Sequence, residues 1–279
     1  MSDARRPADR VRLVVSDIDG TLVDREKRLS ARAVEAAASL RRAGVRLALV
    51  SSRPARGMTM FLEPLGIDTP HAGFNGGEIV SPEGRTLENL FIPNPFGRLT
   101  LEMLETRGVD AWVFADGKWY VTNPAGPYVP LERKTVQMEP TVLSDFDTVV
   151  DRAGKIMGST SDHQLLERVE TEMMTGFGHA VTAHRSQKYY LDVTHPQARK
   201  DYALKSLARL LGVPVEETAS LGDMPNDTEM LRVAGLSIAM GNAPEDVQEV
   251  AHFVTSDNEH DGWAEAIETH ILPRAPGIN

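Results

Sequence analysis

The sequence runs VRLVVSDIDGTL from Val11 to Leu22, and this stretch decides the fold class. Val11–Ser16 is a short, almost continuous apolar run that ends abruptly at Asp17. Such runs are typical of parallel strands that are buried on both faces of a sheet. Asp17 and Asp19 follow this run directly, so we predict that both aspartates lie at the carboxyl end of a buried strand.

The residues that follow predict a strand–helix–strand unit. Ser30 is placed to cap a helix, and Gly44 follows the end of its helical apolar pattern. Val45–Val50 is a second apolar run, so the unit fits within about 40 residues as a βαβ motif. The same pattern returns near the C-terminus, where Thr218–Leu221 is a predicted strand. Both ends of the chain therefore predict one α/β, doubly wound parallel core of the Rossmann-like type.

The middle of the chain has a different pattern. Asp116-Gly117 lies between two apolar runs, which is a strong hairpin signal, and residues 181–193 predict a second hairpin. Paired strands with a helical segment between them indicate an antiparallel α+β domain. We therefore predict that residues 84–192 form an α+β cap domain, which sets substrate specificity, inserted into a catalytic core of residues 1–83 and 193–279.

Composition excludes several classes of protein. The 279 residues include no cysteine, which excludes disulfides, thiolate metal sites and a cysteine nucleophile, and is compatible with a reducing cytosol. The formal net charge is −10 without a basic stripe, which argues against nucleic-acid binding. No apolar stretch reaches the roughly 18 residues that a membrane span needs. We expect a cytoplasmic protein without membrane or nucleic-acid partners; its oligomeric state stays open.

Asp17 and Asp19 are the first candidates for chemistry. Phosphoryl transfer to a carboxylate needs a nucleophilic oxygen in line with the phosphorus. It also needs one group that protonates the leaving oxygen and later activates water. Two aspartates at positions i and i+2 can supply both functions if the chain turns after the strand, and Gly20 gives the backbone that freedom. The alternative is an ordinary capped turn, because Asp and Gly are common turn residues.

A second group of polar residues follows the strand predicted at 218–221. Gly222–Asp227 contains two carboxylates and an amide, the oxygen ligands that Mg²⁺ prefers. The alternative is a helix N-terminus capped by one of these side chains. Ser51 and Lys200 also lie at predicted element ends, and both can donate hydrogen bonds to phosphoryl oxygens. Each signal is weak alone, but together they supply the residue types that phosphoryl transfer requires.

In this order the motifs resemble those of the haloacid dehalogenase superfamily, and more narrowly the Cof-type (subclass IIB) phosphatases, over the full chain. Asp17–Leu22 matches the first motif and Gly222–Asp227 the fourth. The second motif is matched by Ser51, although Ser51-Ser52-Arg53 stands where many relatives have Thr-Gly-Arg. Lys200 is followed by Asp201, where relatives usually have Gly. Two further segments support the resemblance, namely Asn75-Gly76-Gly77 and Met240-Gly241-Asn242-Ala243.

The resemblance implies a role for each motif. Asp17 would be the nucleophile, and Asp19 would be the acid–base group whose backbone carbonyl also binds the metal. Ser51 and Lys200 would hold the transferring phosphoryl group. The Mg²⁺ cofactor would be held directly or through water by five residues, namely Asp17, Asp19, Asp223, Asn226 and Asp227.

Five more residues are predicted to bind substrate. Arg53, Asn75 and Gly76 would face it from the core, beside the second and pre-cap motifs. Arg185 and Lys188 lie at the turn of the last predicted cap hairpin and would reach an anionic leaving group. A solvated turn is the alternative for both of these cap residues.

We therefore expect a magnesium-dependent phosphatase that hydrolyses a small phosphorylated metabolite through an aspartyl-phosphate on Asp17. The relatives that it resembles favour sugar phosphates. Asp19 argues for phosphate esters, because dehalogenases displace halide, need no proton and lack this aspartate. Two alternatives remain, a phosphomutase of the same superfamily and a non-catalytic phospholigand-binding protein on the same fold.

Overall fold

The computed structural model describes residues 6–277, so residues 1–5 and 278–279 of the predicted core lie outside the described residues. The strands are β1 Leu13–Ser16, β2 Arg46–Leu49, β3 His71–Gly73, β4 Glu78–Val80, β5 Thr86–Asn89, β6 Asp110–Ala115, β7 Lys118–Val121, β8 Thr141–Val142, β9 Ala153–Ser159, β10 Thr182–Gln187, β11 Tyr190–Thr194, β12 Thr218–Gly222, β13 Leu236–Ala239 and β14 Phe253–Val254. The helices are α1 Ala31–Arg42, α2 Thr59–Leu65, α3 Phe96–Thr106, α4 Val129–Val136, α5 His163–Phe177, α6 Lys200–Leu210, α7 Thr228–Val233, α8 Glu245–Gln248 and α9 Gly262–Ala266. None of the helices within 6–277 is long and apolar enough to cross a lipid bilayer.

The first sheet is parallel and has β1 at its centre. Its strand order is β14-β13-β12-β1-β2, and every pairing is parallel. Successive side chains of β1 point to opposite faces, so Val14 packs into one apolar cluster while Leu13 and Val15 pack into another. The chain builds outward from β1 in both directions, with β2 on one side and β12 on the other. This arrangement confirms the doubly wound α/β prediction.

Helix α1 shows how local sequence positions the first loop. The Ser30 side chain accepts a hydrogen bond from the Ala33 backbone N–H at 3.0 Å, which caps the helix as predicted. One face of the helix, including Ala36 and Leu40, is buried against the parallel sheet. Gly44 follows the helix with a φ of 74°, a left-handed conformation that glycine adopts without steric cost. The helix thus returns the chain to the sheet beside β1.

The second sheet has six strands in the order β10-β11-β9-β6-β7-β8, antiparallel except for the β7–β8 pair. Helices α3 and α5 pack on one face, through Leu104, Leu166 and Val169 among others. The other face has large aromatic side chains, including Trp112 and Trp119, and packs against α4 and Phe74. The α+β prediction for the middle of the chain is confirmed.

One strand of this middle region differs from the sequence expectation. Strand β9, which pairs with both β6 and β11, was not predicted, because its sequence AGKIMGS has two glycines and a lysine instead of alternating apolar residues. Strand β5 pairs with β4 in a separate three-stranded sheet, β3-β4-β5.

Candidate active site

The carboxyl ends of three parallel strands meet at one edge of the first sheet. Ser16 is in register with Leu49 on one side and Leu221 on the other, so β1, β2 and β12 end at the same level. The residues that follow these strands include Asp17, Ser51 and Asp223. The order in which strands are added to the sheet reverses between β1 and β12, and ligands of open α/β sheets bind at such a point.

Three buried carboxylates form a cluster at this edge. Oxygens of Asp17, Asp223 and Asp227 lie within 4.8 Å of one another. Lys200, the first residue of α6, approaches two of them, with its Nζ atom 2.7 Å from Asp17 Oδ1 and 2.6 Å from Asp227 Oδ1. One ammonium group thus faces three carboxylates, which leaves the cluster with an excess of negative charge.

Hydrogen bonds fix the orientation of Asp223 and Asp227. Thr21 Oγ1 donates to Asp223 Oδ1 at 2.9 Å, and Asn242 Nδ2 approaches Asp223 Oδ2 at 3.2 Å. Asp227 Oδ2 accepts the backbone N–H groups of Asp223 and Met224, both at 3.0 Å. Both oxygens of Asp227 are therefore engaged, one with Lys200 and one with the backbone. Thr21 and Asn242 lie in motifs that the sequence identified, but their orienting contacts were not predicted.

The pKa values follow from burial and the shared lysine. Burial raises the pKa of the Asp17 carboxyl; the charge of Lys200 opposes this shift, and those of Asp227 and Asp223 add to it. Burial and the neighbouring charge of Asp227 raise the pKa of Asp223. Burial disfavours the charged form of Lys200, but Asp17 and Asp227 outweigh it and raise its pKa. The cluster therefore favours any further positive charge near Asp17.

The Asp19 carboxylate contacts two cationic side chains instead of the acidic cluster. Arg53 Nε lies 2.7 Å from Asp19 Oδ2 and Arg53 Nη2 lies 2.6 Å from Oδ1, a bidentate pair. Lys27 Nζ is 2.7 Å from Asp19 Oδ1. Burial would raise the pKa of Asp19, but Arg53 and Lys27 together outweigh burial and lower it. Arg53 was predicted at the site, whereas Lys27 lies in a loop with no motif and was not.

The pre-cap segment lies beside Ser51. The Ser51 hydroxyl accepts the Arg53 backbone N–H at 3.2 Å, and the Ser51 carbonyl accepts the Asn75 N–H at 2.8 Å. Asn75 in turn accepts a hydrogen bond from Asn226 Nδ2 at 3.3 Å. Gly76 has a φ of 101°, and a Cβ atom there would lie 2.9 Å from the Cβ of Ala203. A residue larger than glycine at position 76 would therefore clash with α6, which explains the glycine by packing alone.

The two predicted cap residues are placed differently. Arg185 pairs with Glu170 of α5 at 2.7 Å, on the helix-covered face of the cap sheet and away from the acidic cluster. Lys188 lies exposed in the turn between β10 and β11. Its neighbours Gln187 and Tyr189, which were not predicted, line a cavity between cap and core. A binding role for Arg185 and Lys188 thus stays a prediction that no contact at the site supports.

This cavity extends from the core loops to the cap sheet. Its volume is about 320 Å³. Asp19, Ser52 and Arg53 line it from the core, and Glu132 of α4 and Asp192 of β11 are among the residues that line it from the cap. The cavity therefore reaches Asp19, two residues after Asp17.

The fold and the site define a class, and comparison with known proteins gives the same class. A family model of haloacid dehalogenase-like hydrolases matches residues 14–267, so the chain belongs to this family. It is a Cof-type phosphatase and therefore a phosphoric monoester hydrolase, as the motifs predicted.

Three similar proteins support this assignment. Phosphatase YwpJ of Bacillus subtilis is 29% identical over 94% of this chain and 100% of its own length. The pyridoxal phosphate phosphatase YbhA of Escherichia coli is 26% identical, covering 94% of this chain and 99% of its own. The crystal structure of a haloacid dehalogenase-like hydrolase from Bacteroides thetaiotaomicron is 30% identical, with a TM-score of 0.86, and covers 93% and 99% of the two chains.

Proposed function

We propose that this phosphatase is magnesium-dependent and hydrolyses a small phosphorylated metabolite, a sugar phosphate being the expected class, through an aspartyl-phosphate on Asp17. The observation that supports this proposal is the buried cluster of Asp17, Asp223 and Asp227 around the single ammonium of Lys200. The cluster lies at the strand ends where the fold binds ligands.

The donor set fits a Mg²⁺ ion. Three carboxylates against one ammonium favour a divalent cation, and oxygen is the ligand atom that this ion prefers. Asp17 and Asp223 are the direct ligands in this proposal, and Asp227, which accepts from Lys200 and from the Asp223 backbone N–H, supports the site. The Asp19 carbonyl and Asn226 complete the predicted set. When bound, the ion offsets negative charge on the phosphoryl oxygens.

The chain's own residues account for two chemical steps. In the first, an Asp17 carboxylate oxygen attacks phosphorus, the bond to the leaving oxygen breaks, and Asp19 gives that oxygen a proton. In the second, Asp19 takes a proton from water, whose oxygen attacks phosphorus and frees both Asp17 and inorganic phosphate. Lys200 and the Ser51 hydroxyl hold the phosphoryl oxygens during transfer.

Asp19 needs a proton for the first step, although Arg53 and Lys27 lower its pKa without substrate. A bound phosphate ester brings negative charge to the same two cations. Both its competition for Arg53 and Lys27 and its own charge favour the protonated form of Asp19. Substrate binding therefore prepares the proton donor in this mechanism.

The size of the substrate follows from the cavity. About 320 Å³ between cap and core is small for a ligand site and suits a metabolite rather than a macromolecule. The relative from Escherichia coli is named for a small phosphorylated compound, pyridoxal phosphate, and is similar over nearly its full length. Both observations support a small phosphate monoester.

Replacement of the nucleophile tests the chemistry. Asp17→Asn should abolish phosphate release from 4-nitrophenyl phosphate with Mg²⁺, a loss of at least about 10³-fold, because an amide does not attack phosphorus. EDTA should stop the wild-type reaction. The control variant Asp9→Asn changes an exposed ion pair and should keep normal activity. Near-normal activity of Asp17→Asn would contradict the covalent mechanism.

Product analysis separates hydrolysis from isomerisation. The purified protein should release free phosphate from at least one member of a panel of phosphorylated metabolites. An isomeric phosphorylated product that requires a bisphosphate primer would instead support a phosphomutase. Binding without turnover of any ester would support a phospholigand-binding protein.

A further inference from the structure

A second cavity lies between the three-stranded sheet β3-β4-β5 and the β6–β7 hairpin, apart from the active site. Its volume is about 390 Å³, within the range of sites for small ligands. The segment that follows Arg53 lines it on the side of the three-stranded sheet, and Met138 lines it on the side of the hairpin. No described residue lines both this cavity and the cavity beside Asp19. A molecule bound here would therefore leave the first cavity free.

Glu78 of β4 is the buried carboxyl group of this second cavity. It is 7% exposed, and its Oε1 atom accepts the Ala55 backbone N–H at 2.6 Å. Its Oε2 atom has no hydrogen bond within the described residues 6–277. Gly73, opposite Glu78 on β3, leaves space for the side chain, because a Cβ atom there would lie 2.8 Å from Oε1. The carboxylate is therefore held in one orientation, with one oxygen left without a donor.

Glu78 also has no counter-charge in the part of the chain that the structure describes. Burial raises its pKa to about 6, the Ala55 N–H opposes this shift, and no neighbouring charge acts on it. His71, which lines the same cavity, stays neutral near pH 7 because burial lowers its pKa. An ionised carboxylate that is buried without a cation is costly to the folded protein. The cavity therefore favours a ligand that supplies positive charge at Glu78.

The other charges around the cavity lie at its mouth. Arg56, Glu83, Asp116 and Lys118 line the cavity, and all four are exposed to water. They include two charges of each sign, and solvent screens them much more strongly than it screens a buried group. The electrostatic preference of the interior is therefore determined by Glu78.

The walls of the cavity indicate what the rest of the ligand is like. Phe74 and Val80 line it on one side, and Phe114 and Met138 line it on the other. All four side chains are apolar, so they suit a ligand whose body is apolar or aromatic. A metal ion does not fit, because a hard cation takes about six oxygen ligands and Glu78 is the one buried carboxylate among the described lining residues.

An ammonium group matches what Glu78 lacks. It supplies a positive charge and also donates a hydrogen bond to the free Oε2 atom. The carboxylate has already lost most of its water in the free protein, so only the ligand is desolvated when the ion pair forms. A neutral hydroxyl would donate the hydrogen bond but would leave the buried charge uncompensated.

We propose that this cavity is a second ligand site, separate from the active site, which binds a small primary amine with an apolar body and pairs its ammonium group with Glu78. The inference goes beyond the proposed phosphatase function and does not depend on it. Its tests therefore measure binding rather than turnover.

The first test compares ligands on the wild-type protein. Isothermal titration calorimetry at about pH 8 with Mg²⁺ present measures the binding of 2-phenylethylamine, the alcohol 2-phenylethanol of the same shape, and the acid 3-phenylpropionate. The amine should bind at least about tenfold more tightly than the alcohol, because it alone compensates the buried carboxylate, and the acid should not bind. Equal affinities for amine and alcohol, or no binding of the amine, would overturn the proposal.

The second test removes the charge of Glu78 and keeps its shape. Glu78→Gln retains an oxygen that can accept the Ala55 N–H, and it should weaken binding of 2-phenylethylamine by about thirtyfold or more. The matched control is Glu83→Gln at the exposed mouth of the same cavity, which should change the affinity by less than about threefold. Undiminished affinity in Glu78→Gln would contradict the proposed ion pair.

The acidic cluster of the active site is the alternative site for an amine. Asp223→Asn should therefore leave the affinity for 2-phenylethylamine unchanged, and inorganic phosphate should not displace the amine. Weaker binding in Asp223→Asn together with normal binding in Glu78→Gln would place the amine at the acidic cluster and refute the proposal. If Glu78→Gln does not fold, as judged by its melting temperature, the ligand comparison and Asp223→Asn still decide the question. Absence of phosphate release from every ester would refute the proposed function and leave these binding results unaffected.

Discussion

Gly20 turns the chain after Asp17 and Asp19, and it does so in direct contact with the acidic cluster. Its φ is 85°, and a Cβ atom there would collide with the carboxylate of Asp223. Gly20→Ala should therefore displace Asp223 and lower kcat/KM for 4-nitrophenyl phosphate by about a hundredfold, because small misplacements at an active site are costly.

Gly84 offers a matched control for this substitution. It has the same φ of 85°, but a Cβ atom there would have no neighbour within 4 Å. Gly84→Ala should cost only about 1 kcal/mol of stability from backbone strain and leave the kinetics unchanged. Equal losses of activity in the two variants would show that strain, rather than contact with Asp223, determines the effect.

Glu78 is a buried carboxyl whose ionisation opposes folding. Burial raises its pKa to about 6, although it accepts the Ala55 N–H. The folded pKa is above the unfolded value, so the protein loses stability as pH rises from about 4.5 through 6. Glu78→Gln should gain about 2 kcal/mol relative to wild type between pH 4 and pH 7.5.

Urea unfolding at several pH values measures this difference. Glu63→Gln, at an exposed position of α2, is the control and should show no such trend. A free-energy difference between Glu78→Gln and wild type that stays constant with pH would mean that Glu78 is not ionised in this range.

The sequence predicted some residues of the site better than others, for physical reasons. Asp17 and Ser51 directly follow apolar runs, and Asp223 follows a predicted short strand and Gly222. Parallel strands bring such positions to one edge. Lys27 has no comparable signal, because its approach to Asp19 depends on how a loop folds back. For Arg185, sequence alone could not show which face of the sheet it occupies, and a register shift between Arg185 and Gln187 makes simple alternation unreliable.

At the scale of elements, the cap sheet shows which strands a local sequence pattern can predict and which it cannot. The β6–β7 hairpin was predicted from Asp116-Gly117, and both residues have the positive φ that such a turn requires. Strand β9 could not be predicted, because Lys155 occupies a buried position that a pattern would assign to an apolar residue. Its burial depends on Asp192, which is distant in sequence, and no local pattern contains that pairing.

The core-facing side of the cap depends on its aromatic side chains. Trp119 is fully buried, with its ring 5.2 Å from Trp112 and stacked on Phe114 at 6.2 Å. Trp119→Ala should lower the free energy of unfolding by about 3–5 kcal/mol, because the cavity left by the indole would not collapse fully.

Chemical denaturation measures this loss, with Val142→Ala in β8 as control. Val142 is 54% exposed and should change stability by less than about 1 kcal/mol. A loss below about 1 kcal/mol for Trp119→Ala would mean that the cap tolerates repacking at this position.

At the scale of the molecule, we propose that the predicted cap, residues 84–192, folds around its own core. The apolar cluster under α3 and α5 draws its fully buried members only from residues 92–193. The clusters on the two faces of the parallel sheet include no residue from within that range. Because β5 pairs with β4, we propose that the chain passes from the core to the cap after Asn89.

Metal binding should stabilise the whole protein, because Mg²⁺ would relieve repulsion among the three carboxylates. At ten times its dissociation constant, the ion should add about 1.4 kcal/mol and raise the melting temperature by about 2–4 °C. Asp223→Asn should lose this shift, whereas Asp246→Asn, an exposed change in α8, should retain it. An unchanged melting temperature with Mg²⁺, or an equal shift in Asp223→Asn, would contradict the prediction that this cluster binds the metal.

Arg53 joins the two parts of the molecule through a single side chain. Its guanidinium holds both oxygens of Asp19, and its Nη1 atom also donates to the carbonyl of Thr135 in α4 at 3.2 Å. The cap therefore cannot rotate away from the core without breaking a hydrogen bond of the same group that restrains Asp19, the proposed proton donor. Arg53 therefore couples the position of the cap to the orientation of the Asp19 side chain, so that a movement of one should change the other.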